Sequence, residues 1–167
     1  YCISLPAHIG LKVLDNPVEG EGHTLICRHY GRTCYAMVTC MKSLLLKDHF
    51  FNPRGMGFMD NPTHYAVARS EVCNDVVRVM VRIDDDGILL DVKAQVYGCG
   101  YAIAGASIFN SCARGMGMER AAALRAGDLL ADAGDIPERH VACVGLALKA
   151  FQKIYDDYRR GLQHGTS

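Results

Sequence analysis

The sequence predicts an α+β domain: a three-stranded antiparallel sheet with helices packed on one face, preceded by an N-terminal extension. The first sign is alternation. Val77, Val79, Val81 and Ile83 are interleaved with Arg78, Met80 and Arg82, a period of two that gives one buried and one wet face. The second is a hairpin. Asp84-Asp85-Asp86-Gly87 reads as a turn, and residues 88–96 return with Val92, Ala94 and Val96 opposite Asp91, Lys93 and Gln95. A strand over 64–70 completes the sheet. The third is the change of period after the sheet, where small and apolar residues recur at helical spacing. Strands followed by helices define the class.

The remaining elements follow in chain order. Residues 1–40 form the extension, where Pro6, Asn16-Pro17 and Gly20-Glu21-Gly22 mark turns and 9–14 is a short strand candidate. The domain proper spans 41–160, and 161–167 is a tail. A helix is expected over 35–50, from Tyr35, Val38, Met41, Leu45 and Phe50, with Pro53 ending it. After the sheet, 102–113 reads as a packed helix and 118–130 as another, with a break at Gly127-Asp128. Asp135-Ile136-Pro137-Glu138 has the form of a helix start, with Asp135 as cap. The last helix then runs to about Arg160, with Val141, Val144, Leu148, Phe151, Ile154 and Tyr158 inward.

Composition narrows the function classes. Half of the 167 residues are hydrophobic and 22% are charged, which is ordinary globular usage. Lys+Arg and Asp+Glu both count 18, so no basic excess points to nucleic acid or a membrane surface. No apolar run reaches the length of a membrane span, and no secretory pattern opens the chain. A chain of this size needs no disulfide staples, so its eight cysteines read as intracellular thiols. No Ser/His/Asp arrangement, phosphate loop or paired catalytic carboxylates point to an enzyme.

Three cysteines stand at informative places. Cys73 and Asp75 flank Asn74 just before the strongest strand; in an extended segment, positions i and i+2 face the same side. Cys99 lies between Gly98 and Gly100, where the return strand opens into a helix. The amide donors of a helix start favour thiolate over thiol. Cys143 falls near the start of the long last helix. Taken singly, each fits a buried small residue as well as a ligand. Cys112 is expected in the core. Cys27, His29, Cys34 and Cys40 match no zinc-module spacing and read as buried or free thiols. Met56, Met59, Met116 and Met118 read as ordinary packing.

The motifs taken together resemble the IscU/NifU scaffold family. Phe51-Asn52-Pro53-Arg54-Gly55-Met56-Gly57 is similar to its Asn-Pro-Arg-x-x-Gly segment, and Cys73-Asn74-Asp75 to its Cys-Gly-Asp. Asp85-Asp86-Gly87-Ile88 and Tyr97-Gly98-Cys99-Gly100-Tyr101-Ala102-Ile103-Ala104 are similar to its Asp-x-Gly-Ile and Tyr-Gly-Cys-Gly-Ser-Ala-Ile-Ala. Cys143 falls at the third family cysteine. The likeness covers about 42–160.

The resemblance implies an iron–sulfur cluster assembly scaffold that is not an enzyme. It would accept sulfur from a cysteine desulfurase, combine it with iron, hold a labile [2Fe–2S] cluster and pass it to acceptors. Cys73, Asp75, Cys99 and Cys143 would be the ligands, with Cys143 the persulfide acceptor. Zn²⁺ is the alternative occupant of the same four groups. Frataxin-like and ferredoxin proteins are the further partners implied. The family's His before the third Cys is Ala142 here, and His140, three residues before Cys143, is expected to fall short. Ile136-Pro137-Glu138-Arg139-His140 stands where the family has its chaperone-recognition stretch Leu-Pro-Pro-Val-Lys. Two further readings follow: a metal-binding structural subunit of a larger organellar complex, and a SufU-like zinc-bound sulfur acceptor. The Tyr start and the extension lead to an expectation of the mitochondrial matrix, with the bacterial cytoplasm as alternative.

Overall fold

The structure is a computed structural model. It describes residues 2–3, 41–71, 73–134 and 136–164. The expected helix start at 35, the strand candidate at 9–14, and Cys27, His29, Cys34, Cys40 and Asp135 lie outside the described residues.

Three antiparallel strands make the sheet. They are β2 (His64–Arg69), β3 (Val76–Ile83) and β4 (Leu89–Gly98). The register sets Ala68 across from Val77 and Val77 across from Val96; the next inward row is Ala66, Val79 and Ala94. These rows form the floor of the core, as the alternation in the sequence demands. A two-residue strand, β1 (Cys2–Ile3), pairs with the end of β4 and gives the order β1-β4-β3-β2. The hairpin turn works as expected. Asp84 Oδ1 accepts the amides of Asp86 and Ile88, and Gly87 takes a φ of 78°.

The same edge of β4 is closed by loops. Gly55 and Gly57 bond Ala94, and Gly115 and Met116 bond Leu89. A covered edge cannot recruit another strand. Asn110 fixes the first loop by donating to the carbonyls of Arg54 and Gly55.

Helix α1 spans Leu44–Phe51 and is capped by Ser43, whose Oγ accepts the Leu46 amide. The expected helix over 35–50 is corrected here: 41–43 are not helical, because the cap at Ser43 sets the start. Helix α2 (Gly100–Ala113) is buried along almost its whole length, which its small residues permit. The segment 118–130 is two helices, α3 (Met118–Ala123) and α4 (Ala126–Leu129). The break falls at Leu124-Arg125. Asp128, read as part of a break, instead accepts the Arg125 amide at 2.7 Å and caps α4.

The last helix is also two. Helix α5 (Glu138–Val144) ends at Gly145, and α6 (Leu146–His164) continues past the expected end near Arg160. Val144, Phe151 and Ile154 are buried and Leu148 and Tyr158 half-buried against the core, as expected, whereas Val141 lines a surface groove beside Ala142. Helix α6 lies over β2, where Lys153 donates to the Val67 carbonyl and Tyr158 meets His64 edge to face. Tyr65, Val67 and Tyr97 remain exposed on the opposite sheet face, so the helices cover one face only. Cys112 is exposed on α2, not in the core as expected, because it falls off that helix's inward stripe. Met59 and Met118 are buried and Met56 and Met116 half-buried, which is packing.

Candidate functional site

One end of the sheet gathers the thiols. Cys73 and Asp75 lie in the β2–β3 connection. This connection is a tight turn rather than the expected extended segment: the Asp75 amide donates to the Cys73 carbonyl at 2.6 Å, and the Cys73 amide to Ser70 Oγ. The turn folds the two side chains toward one point. Asp75 is buried, and its Oδ1 accepts the Cys99 amide at 3.0 Å. Gly98 makes this possible. A Cβ there would stand 2.7 Å from the Asp75 Cγ.

Cys99 caps α2 in an extended conformation. Cys143 comes from the other side, on α5. It sits in the last turn of that short helix, not near the start of a long one, because Gly145 ends α5. The two helices touch backbone to side-chain void at Gly105. A Cβ on Gly105 would lie 2.5 Å from the Val144 carbonyl oxygen and 2.6 Å from its Cα. That close approach sets the depth of Cys143, whose Sγ donates to Cys73 Sγ at 3.7 Å.

Two groups of ligand atoms result, joined at Cys143. Cys73, Asp75 and Cys143 have their donor atoms within 4.8 Å of one another, and so do Cys99, His140 and Cys143. All four expected residues are therefore brought to one place. His140 is there too. The expectation that it falls short is corrected: three residues apart on a helix is one face, so His140 and Cys143 share a side of α5. That spacing was readable in the sequence. The ring of His140 stacks on Tyr101 with centroids 4.1 Å apart and planes 8° from parallel.

Electrostatics at the site run against the expected activation. Burial raises the Cys99 thiol above its ordinary value; the Ala102 amide opposes this and Asp75 adds to it. Burial pushes Cys143 far up, with Cys99, Cys73 and Asp75 adding to it. The helix start at Cys99 is outweighed, so burial favours the neutral thiol at both positions, and a bound cation would favour the thiolate. Burial, then Arg139, lowers the pKa of His140, which keeps it a neutral imidazole.

The donor set fits a soft metal or an iron–sulfur cargo. Asp75 Oδ2 and His140 Nδ1 are buried with no hydrogen-bond partner among the described residues. Orphaned polar atoms beside three thiols are costly unless a ligand meets them. No described helix is long and apolar enough to cross a membrane.

Comparison with known proteins bears on the family and the fold. The sequence model of the NifU-like N-terminal domain matches residues 43–164. The iron–sulfur cluster assembly scaffold protein IscU of Haemophilus influenzae is 32% identical over 115 residues, covering 67% of this chain and 90% of that protein. The iron sulfur cluster assembly protein 1, mitochondrial, of Yarrowia lipolytica is 32% identical over 114 residues, covering 66% and 62%. Among solved structures, a NifU-like protein (N-terminal) from Brucella abortus superposes with a TM-score of 0.57 at 19% identity, covering 74% of this chain and 98% of that one. The match spans most of the chain, and the chain belongs to the NifU-like N-terminal domain family, whose relatives include IscU iron–sulfur cluster assembly scaffolds.

Proposed function

We propose that this protein is a scaffold on which a [2Fe–2S] cluster is built and from which it is handed on. The observation that supports this most is the convergence of Cys73, Asp75, Cys99 and Cys143 at one end of the sheet, with a carboxylate oxygen left unpartnered among the thiols. Soft thiolates suit iron and bridging sulfide, and one oxygen donor in place of a fourth thiolate keeps the cargo exchangeable.

Cys143 is the sulfur acceptor in this reading. Exposed to solvent, the Cys143 thiol gives up its proton, its thiolate attacks the outer sulfur of the desulfurase persulfide, a new S–S bond forms, and the desulfurase thiolate leaves and takes up a proton. That sulfur needs two electrons to become bridging sulfide, the role of a ferredoxin partner. A frataxin-like protein would assist the assembly. Cys143 is buried, so acceptance requires α5 to lift from α2. Relatives named from a yeast mitochondrion and from bacteria support either compartment, and fractionation of a tagged chain separates the two.

The test is anaerobic reconstitution with desulfurase, cysteine and iron, followed by visible absorption and transfer to an apo-ferredoxin. A cluster that forms, transfers, and fails to form in Cys99→Ser supports the scaffold. Tightly held Zn²⁺ with persulfide but no cluster supports the zinc-bound acceptor. A site that stays inert in a stable complex supports the structural subunit.

A further inference from the structure

We propose that His140 is the nitrogen ligand of a divalent-cation site completed by Cys99 and Cys143, and that Tyr101 is the residue that holds its ring in place. This rests on the metal-binding reading above and adds a donor to it.

Three observations carry the assignment. His140 and Cys143 share a face of α5, and their donor atoms lie with Cys99 Sγ inside 4.8 Å. The two ring nitrogens are in different states. Arg139 Nε donates to Nε2 at 3.1 Å, whereas Nδ1 is buried and unpartnered among the described residues. The ring cannot swing freely, because it lies flat on the buried Tyr101 ring.

The geometry explains why the nitrogen stands three residues before Cys143. Ala142, one residue before it, is exposed and lines a surface groove with Leu124, Arg125 and Leu148. A donor there would face away from the thiols. Tyr101 sits under position 140 from α2, so the ligand and its support come from two helices.

The test is Zn²⁺ affinity by competition and Co²⁺ absorption on the full chain, without desulfurase or activity. His140→Phe keeps a ring on Tyr101 but removes the nitrogen; it is expected to lower both affinities by at least about tenfold and to change the cobalt d–d bands. His140→Cys is expected to bind tightly with stronger sulfur-to-cobalt charge transfer. Tyr101→Ser, acting through the ring's orientation, is expected to cost less than His140→Phe. His140→Phe that binds like wild type, with the same spectrum, overturns the assignment while leaving the scaffold reading intact. A wild-type chain that binds neither cation overturns both.

Discussion

The two halves of the site are built in different ways. Cys73, Asp75 and Cys99 are carried by the sheet: two precede the start of β3, and the third follows the end of β4. Their spacing is fixed by strand register, with Val76 across from Tyr97, and by one hydrogen bond from the Cys99 amide to Asp75. His140 and Cys143 are carried by α5, a seven-residue helix held against α2 at Gly105. A ladder of backbone bonds resists displacement along its whole length. A short helix held only by tertiary contacts, Gly105 against Val144 and Tyr101 against His140, has fewer restraints than a strand in a ladder. The sheet half is therefore the fixed jaw, and the α5 half the movable one.

The sharpest way to break this arrangement is to fill the seam between the halves. Gly105→Val puts a branched side chain against the Val144 backbone, which cannot rotate away. The expected loss is about 3 kcal/mol, the upper part of the range for overpacking, and urea denaturation measures it. Metal affinity should fall with it, because Cys143 is pushed from Cys99. Stability that is unchanged would mean that α5 is not seated on α2 as described.

The matching change in the fixed jaw is Gly98→Ala. The added methyl displaces the Asp75 carboxylate and breaks its bond to the Cys99 amide. A lost charged hydrogen bond in a buried place costs about 2 kcal/mol. Its signature differs from that of Gly105→Val: exchange protection of the Cys99 amide is lost, while His140 stays stacked on Tyr101 by NMR.

Much of the fixed jaw was legible in the sequence, and the movable one was misread. The alternation of Val77 to Ile83 and the turn at Gly87 announce the strands that place Cys73, Asp75 and Cys99. Their local geometry was not announced. The tight turn at Cys73 depends on a backbone contact, and the raised Cys99 thiol on burial that one-dimensional spacing does not report. On the helical side, apolar residues continue through Val141, Val144 and Leu148 without a missed beat, so periodicity gives no sign of the break at Gly145. Treating 137–160 as one helix put Cys143 at the wrong end of its element. Only the structure shows the stacking of Tyr101 on His140, a contact between residues far apart in the chain.

The raised Cys143 thiol gives a smaller effect with a definite sign. Its proton is held more tightly in the folded chain than at the ordinary value of 9.0. Its contribution to stability is complete below that pH and is lost as the pH climbs above it. The metal-free protein should therefore melt progressively lower between about pH 8 and about pH 10, and Cys143→Ala should flatten that slope. Alkylation gives the same contrast at one pH: of the four cysteines with described side chains, iodoacetamide should label exposed Cys112 first and buried Cys143 last. Early labelling of Cys143 would mean that α5 opens readily.

The smallest expected effect is that of Ala142→His. Successive helical residues point about 100° apart, so a side chain at 142 leaves the face shared by 140 and 143. The position is exposed and opens onto the groove beside Arg125. The new imidazole should cost only about 0.5 kcal/mol of helix propensity and leave Zn²⁺ affinity as it was. A marked rise in affinity would mean that α5 can turn about its own axis to bring 142 inward. The movable jaw would then rotate as well as lift, and the fixed position of His140 on Tyr101 would describe one of two settings.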